Sequence, residues 1–533
     1  MKQGIVVQQA QTRRRLLLPA VCFIILAAWQ GIFFFHKLDL TQGDLGRHLK
    51  NGQIIVVALQ QINFKEASLL LTTNYYAATV SEFAFVNHHW LSGVLFYGWY
   101  AVAGYTGLSV LLLLFSIAIL AIFFDIARRQ AGPLYALSAG FLLVPVFAER
   151  NELRPELFSY LFAGIVYWIL LRFRSGQYSA RALWWLPIIG LVWVNTHIYF
   201  VLGPYIVGVF LLEALITRRP GFAAVSKKLV FAIVGLCIVS VLNPNFVSGA
   251  LYPFRIFQNY GLVIRENLSI PALLRIAPGY GNFIVFKVAV FLMLALVLIV
   301  KIKKTLQPLA VPLFFSIVFG VWAYGAARNV SLFGWFALPA LAGLLRSALP
   351  MAVDKKFPRL GPIVCGVVLL LIAALSMRAR LSSAAKLFGS GLAHKHTAAG
   401  VLAAENISGP LFNDFDSGGQ VIWYAFPKAR PFVDNRPEAY PPGFFKSAYL
   451  PPLSQEKIWQ EALKTYQFNA IVYSLSNLAS TTIPFIVHRL QDPLWAPIFA
   501  DTRSILFIRR LPQNESVIKR LELPPERFQI TTR

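Results

Sequence analysis

HHWLSGVLFYGWYAVAG, residues 88–104, decides how this chain threads a membrane. The stretch is apolar and aromatic, yet as a helix it reaches only about 24 Å at about 1.5 Å per residue. The hydrocarbon core of a bilayer is about 30 Å thick, so 88–104 reads as a helix lying in, or dipping into, one leaflet. That reading sets the side on which every later loop falls. Residues 108–124 run to the side holding Arg128 and Arg129. Residues 134–147 leave it, and 157–171 return to Arg172, Arg174 and Arg181. The pairs 182–194 with 199–216, 229–246 with 283–300, and 309–325 with 330–345 repeat the pattern. They return to Arg218, Arg219, Lys227 and Lys228, then to Lys301, Lys303 and Lys304, then to Arg346, Lys355, Lys356 and Arg359. A first span at 16–35 follows Arg13, Arg14 and Arg15, and 362–377 exits last. Basic loops collect in the cytoplasm, which gives about eleven spans, the N-terminus inside and the C-terminus outside. Counting 88–104 as a crossing would send the basic loops that follow it outside.

The composition agrees with a membrane protein. Of 533 residues 57% are hydrophobic and 14% charged, and the mean hydropathy is +0.61, far above a soluble domain. The first span has no small-residue cleavage site after it and is expected to be retained. The net charge of +26 does not point to nucleic acid, because the basic residues sit in short clusters between spans rather than on one soluble face. The three cysteines, Cys22, Cys237 and Cys365, each lie in an apolar segment and encode neither a disulfide framework nor a cysteine metal site. From Arg378 onward the composition changes. Short strands are expected at 409–412, 430–433, 470–473 and 505–508, with an apolar run at 421–426 and a helix at 459–466. The chain therefore divides into a multi-span module over 1–377, with a first outer loop and interfacial helix over 36–107, and an extracytoplasmic α/β domain over 378–533.

With this threading the polar motifs fall on the outer side. The first outer loop holds GDLGRHLKNG (43–52) and FVNHHWLSG (85–93); later turns hold ERNELRPELF (149–158), WVNTHIYF (193–200), LNPN (242–245) and AARN (326–329). The C-terminal domain adds FNDFDSGG (412–419) and FVDNRPEAY (432–440). This combination resembles the GT-C superfamily of polytopic membrane glycosyltransferases, and more narrowly a bacterial polyprenyl-phosphate-sugar-dependent group. The shared pattern falls on Asp44/His48/Gly52, on 87–92, on Arg154 with Pro155, on Trp193 with Asn195 and His197, on 416–419 and on 434–440, and it covers nearly the whole chain. The chain departs from it at His89 and near Gly93, where the group carries acidic residues.

The resemblance implies transfer of a sugar from a polyprenyl-phosphate carrier to a glycan, lipid or protein acceptor at the outer face of the inner membrane. That chemistry needs a carboxylate to take the acceptor's proton and cations to hold the departing phosphate. Asp44 is the candidate base, although an Asp at this position would also cap the helix that follows. His48, one turn later, is expected to share its cavity. Arg154 and Arg328 stand at span ends where guanidinium forks can grip a phosphate. Arg47, His88, His89, Glu152, Asn195, His197, Asp416, Asp434 and Arg436 complete the expected substrate-contacting set. Asn195 and His197 lie in an almost continuous apolar stretch, so they either line a wet cavity or bond a neighbouring helix. Participation of a divalent metal stays open, because Asp39 and Asp44 are five residues apart. A saccharide ligase or polymerase would use similar parts with a longer donor, and a non-catalytic descendant would keep only the fold. A transporter would show repeated halves and midplane polar residues; no repeat is visible.

Overall fold

The computed structural model describes residues 2–528 apart from 42, 219, 257–260, 277–280, 303–308, 476–481 and most of 349–386. Arg219, Lys303, Lys304, Lys355, Lys356, Arg359, Cys365 and most of the expected last span 362–377 lie outside the described residues.

Helices fill the chain up to residue 348. In order they are α1 (Lys2–Phe34), α2 (Leu45–Gln60), α3 (Phe64–Thr72), α4 (Trp90–Ala131), α5 (Pro133–Phe147), α6 (Glu156–Arg174) and α7 (Trp185–Thr196). Then follow α8 (Leu202–Thr217), α9 (Phe222–Ser240), α10 (Phe246–Leu251), α11 (Ile270–Ile276), α12 (Gly281–Ile302), α13 (Ala310–Gly325) and α14 (Val330–Ala348). Among the described residues seven are long and apolar enough to cross a membrane: α1, α4, α6, α8 with the turn before it, α9, α12 and α14. At three further expected positions stand shorter helices, α5, α7 and α13, of 15, 12 and 16 residues. The shortest, α7, stops at Thr196 because His197 is extended (φ −158°, ψ 144°). The apolar run continues there, but the helix does not.

Helix α4 breaks where the short apolar stretch was expected to end. Gly104 takes φ +60° and ψ −159°, a conformation that costs glycine little, and the Trp99 indole donates to the Gly107 carbonyl (2.8 Å) across the break. The segment before it lies along α2. The contact is backbone on backbone: a Cβ on Gly52 would sit 2.1 Å from the Gly93 carbonyl oxygen, and one on Gly93 would sit 2.7 Å from that of His48. An acidic side chain at position 93 has no room here.

Two opposite faces emerge. On one, Asp125 accepts from Arg128, from Arg129 (2.8 Å) and from Arg172 (2.9 Å), and Arg346 donates to the Gln130 carbonyl (2.8 Å). The basic ends of α4, α6 and α14 thus meet. At the opposite ends of the same helices stand Glu156 and the 326–329 turn. Helix α14 is the centre of the module, 89% buried over its apolar window and packed against α4, α5, α12 and α13.

The C-terminal part is an α/β unit around a four-stranded sheet of order β1-β2-β4-β3: β1 (Leu411–Asn413), β2 (Ala470–Ser474), β3 (Trp495–Ala500) and β4 (Ser504–Arg509). The β1–β2 pair is parallel and the others antiparallel. Successive side chains alternate between faces. Ile471 and Phe507 pack with Trp459 and Phe485, and Val472 and Leu506 with Leu402 and Val421. The run expected as a strand at 430–433 is a loop instead. The Asn413 side chain takes the place of a neighbouring strand, accepting from Phe432 N–H (2.8 Å) and donating to the Val433 carbonyl (2.7 Å). The apolar run 421–426 belongs to helix Gly418–Ala425. Strand β3 was not among the expected strands; it contains Pro497 and lies at the sheet edge, where a missing N–H is tolerated.

Candidate active site

Asp44 stands immediately before α2, yet its side chain makes no capping hydrogen bond. The carboxylate turns instead toward Arg47 (3.6 Å) and Arg154 (3.8 Å). It lines a cavity of about 780 Å³ between the helical module and the sheet unit. The same cavity is lined by Arg47, His88, His89, Glu152, Arg154, His197, Arg328 and Asp416, so nine of the thirteen expected positions converge on it.

The other four lie elsewhere. His48, expected beside Asp44, is 0% exposed and turned under the first segment of α4, its ring 5.4 Å from that of His89 and 6.3 Å from that of Phe96. Asn195 accepts from the Trp90 indole (2.9 Å) and donates to the carbonyls of Leu191 (2.9 Å) and Leu242 (3.0 Å), which joins helices rather than lining the cavity. Asp434 and Arg436 form a fully buried bidentate pair (2.8 and 2.7 Å), and Arg436 also donates to Asn74 (2.7 Å). The pair pins the loop from behind, while the intervening Asn435 and the following Glu438 face the cavity.

Loops at three span ends supply the arginines. Arg150 sits in the short turn after α5, Arg154 before α6, and Arg328 in the turn between α13 and α14. Glu156 accepts from Arg150 (2.9 Å) and Arg328 (3.3 Å). Glu266, in the loop before α11, reaches Arg150 (2.6 Å), Arg154 (3.5 Å) and Arg328 (3.7 Å), and Glu152 pairs with Arg154 (2.5 Å). Burial alone would raise the Glu266 carboxyl, but Arg150, Arg328 and Arg154 outweigh it and hold it well below the usual range. Glu266 is therefore ionised. The carboxylates of the cluster keep three guanidiniums within reach of one another despite their repulsion.

Beside it four imidazoles form a chain. His88 and His89 are 3.7 Å apart between ring centres, and His89 stacks on His197 at 5.3 Å and meets His48 at 5.4 Å. Ser159 bridges the chain to its surroundings, 2.7 Å from His197 Nδ1 and accepting from the Trp193 indole at 2.7 Å. Burial, with Arg47 adding to it, holds His88 down to about 3. Burial, followed by the charges of Arg47 and Arg154, also keeps His48 far below its ordinary value. Both rings are neutral. His89, in place of the group's acidic residue, is thus the middle member of this stack.

Sequence reasoning passed over Arg150, Glu266 and Glu438. Arg150 lies inside the motif at 149–158, among Glu149, Glu152 and Glu156. Glu266 has no motif around it; its one signal is to be acidic among Arg255, Arg265 and Arg275. Among the described residues no group of three or more His, Cys, Asp or Glu side chains is arranged to hold a metal ion. Asp39 does not pair with Asp44, its carboxylate being taken by Thr41 (2.6 Å) and Arg503 (3.1 Å).

The sequence matches no protein-family model and no curated protein. Solved structures do match. The apo crystal structure of the Archaeoglobus fulgidus oligosaccharyltransferase superposes with TM-score 0.55 at 12% identity, over 86% of this chain and 69% of that one. The same protein in complex with Zn and sulfate gives TM-score 0.51 at 13% identity, over 92% and 73%. ArnT from Cupriavidus metallidurans bound to undecaprenyl phosphate gives 0.51 at 13% identity, over 95% and 99%. At these identities the likeness shows the fold. The chain shares the fold of these structures, a module of long apolar helices with a C-terminal unit built on a small sheet.

Proposed function

We propose that this chain is an integral membrane glycosyltransferase. It moves a sugar from a polyprenyl-phosphate carrier to an acceptor at the extracytoplasmic face of the inner membrane. One observation carries the reading: the convergence of Asp44 with the guanidiniums of Arg150, Arg154 and Arg328 in a single cavity at the span ends. A neighbour in fold holds undecaprenyl phosphate, and the basic ends of the helices lie on the opposite face, the cytoplasmic one by the positive-inside rule.

The chemistry follows from the charges. An acceptor oxygen forms its bond to the anomeric carbon as that carbon's bond to the carrier phosphate breaks. The phosphate leaves with the bonding pair, and its growing charge is met by preorganised guanidiniums. The acceptor's proton passes to Asp44. Arg47 and Arg154 orient that carboxylate through their contacts at 3.6 and 3.8 Å. Neutral imidazoles beside the cluster add no competing positive charge.

The test is mass spectrometry of envelope glycans, lipids and secreted proteins from cells with and without the chain. A sugar present only when the chain is present supports the proposal. Identical profiles under conditions of confirmed expression argue against it.

A further inference from the structure

The cavity has two chemically unequal walls. Every cationic or imidazole side chain on it comes from the helical module: Arg47, Arg150, Arg154, Arg265 and Arg328, with His88, His89 and His197. Among the described residues the sheet unit contributes no Lys, Arg or His to it. That unit supplies the carboxyls of Asp414, Asp416 and Glu438, together with Tyr449, Tyr473 and Ser474.

Two groups on this wall lack partners. Ser474 is 3% exposed, and its Oγ has no hydrogen-bond partner among the described residues. Its main-chain N–H is tied to Asp414 Oδ1 (2.7 Å), which fixes the residue at the end of β2. A buried hydroxyl left unpaired is costly, and Ser474 is one of the residues that line the cavity. The Glu438 carboxylate bonds only to its own main-chain N–H. It is presented by the loop that the buried Asp434–Arg436 pair holds rigid. Burial pushes Glu438 up to about 7, and burial with the charge of Asp416 does the same to Asp414. Carboxyls that titrate there can both donate and accept hydrogen bonds.

We infer that this wall, with Glu438 and Ser474 as its unpartnered groups, is the acceptor subsite and takes a neutral, hydroxyl-rich acceptor, a saccharide rather than an anionic one. The inference rests on the glycosyltransferase reading. The carrier phosphate belongs on the opposite wall, where the guanidiniums are. Hydroxyls of an uncharged sugar can pair with Glu438 and Ser474, whereas a carboxylate on the acceptor would face the charge of Asp416 on a wall that supplies no cation of its own. Like charges placed face to face across a desolvated contact reject a ligand strongly.

The experiment uses the full chain in lipid nanodiscs with polyprenyl-phosphate-linked hexoses as donors. Acceptors are methyl hexosides, their uronate counterparts and their amino-sugar counterparts. The neutral hexoside is expected to be used at least roughly tenfold better, by kcat/KM, than the uronate. Glu438→Lys should narrow or reverse that preference, and Ser474→Ala should raise the acceptor KM several-fold with a smaller change in kcat. Carrier-phosphate binding, measured on each variant, should be retained and shows that the variant is folded. Uronate used as well as the hexoside, an amino sugar preferred over it, or a Glu438→Lys variant with unchanged preference overturns the inference and leaves the glycosyltransferase reading standing. Failure of the wild type to bind polyprenyl phosphate or glycosylate any acceptor overturns both.

Discussion

Changing Arg328 to glutamine removes one guanidinium from the cavity while leaving its neighbours paired. Glu156 keeps Arg150 at 2.9 Å, and Glu266 keeps Arg150 at 2.6 Å and Arg154 at 3.5 Å. The Asn267 contact at 3.1 Å can be remade by the new amide. The variant is therefore expected to fold and to melt close to wild type. What it loses is a charge-assisted hydrogen bond to the carrier phosphate, worth about 1.5–3 kcal/mol, or roughly 10- to 150-fold in affinity. Arg150 and Arg154 remain to share the phosphate, which places the binding loss near the lower figure. Turnover should fall by roughly a further tenfold, because phosphate charge grows as the sugar leaves. Lysine should restore only part of both, since it returns the charge without the planar fork. The assay is equilibrium binding of polyprenyl phosphate and steady-state transfer by the purified protein in nanodiscs. Undiminished binding and turnover in Arg328→Gln would refute the phosphate role.

Three further outcomes follow from other parts of the structure. In a cysteine-free background, a single cysteine at Ser447 should react with an impermeant thiol reagent in cells with a permeabilised outer membrane, and one at Ser175 should not; both positions are exposed, so labelling at Ser175 would invert the threading. Gly52→Ala should lower thermal stability by about 1–3 kcal/mol or more, because its Cβ would sit 2.1 Å from the Gly93 carbonyl, whereas Gly208→Ala, with nothing within 4 Å, should be silent. Glu438 keeps its proton in the folded chain up to about 7 against an ordinary value of 4.5. The stability it lends is therefore full below 4.5, falls as pH rises toward 7 and is flat above. Glu438→Gln should accordingly gain melting temperature on wild type between about pH 5 and pH 8, and parallel melting curves at both pH values would count against that burial.

How much of this was legible beforehand depends on the kind of signal. Hydropathy and basic clusters located the long apolar helices up to α14 but not the short α3, α10 and α11, and the length of 88–104 anticipated the break that Gly104 makes. Arg154, His197 and Arg328 could be gathered because each follows or precedes a span end on one face. The misreadings have physical causes. Helix α7 is short because an extended His197 stops it, which hydropathy does not register. The apolar stretch 430–433 is bonded by an Asn413 side chain instead of a strand, and an edge position hides the proline of β3. In the site, a spacing of four suggested that His48 and Asp44 point the same way; packing of α2 on α4 through Gly52 and Gly93 buries the former. Asp434 and Arg436 looked like surface chemistry, but they neutralise each other inside the loop. Glu266 was missed because tertiary contact alone brings it to the cavity, and Glu438 because Asp434 and Arg436 drew attention within their shared motif.

The most direct measurement of the central claim is coupled product formation by the purified protein with a labelled polyprenyl-phosphate sugar, comparing wild type with Asp44→Asn. Asparagine keeps the shape of the side chain and removes its capacity to take a proton. Since Asp44 makes no capping hydrogen bond, the fold has little need of its charge. Wild type should release polyprenyl phosphate and glycosylated acceptor in equal amounts. Asp44→Asn should bind the carrier and turn over about 100-fold more slowly or worse, the usual range for loss of a general base. Equal turnover by the two proteins, or carrier release without any glycosylated product, would contradict a sugar-transfer site built on Asp44.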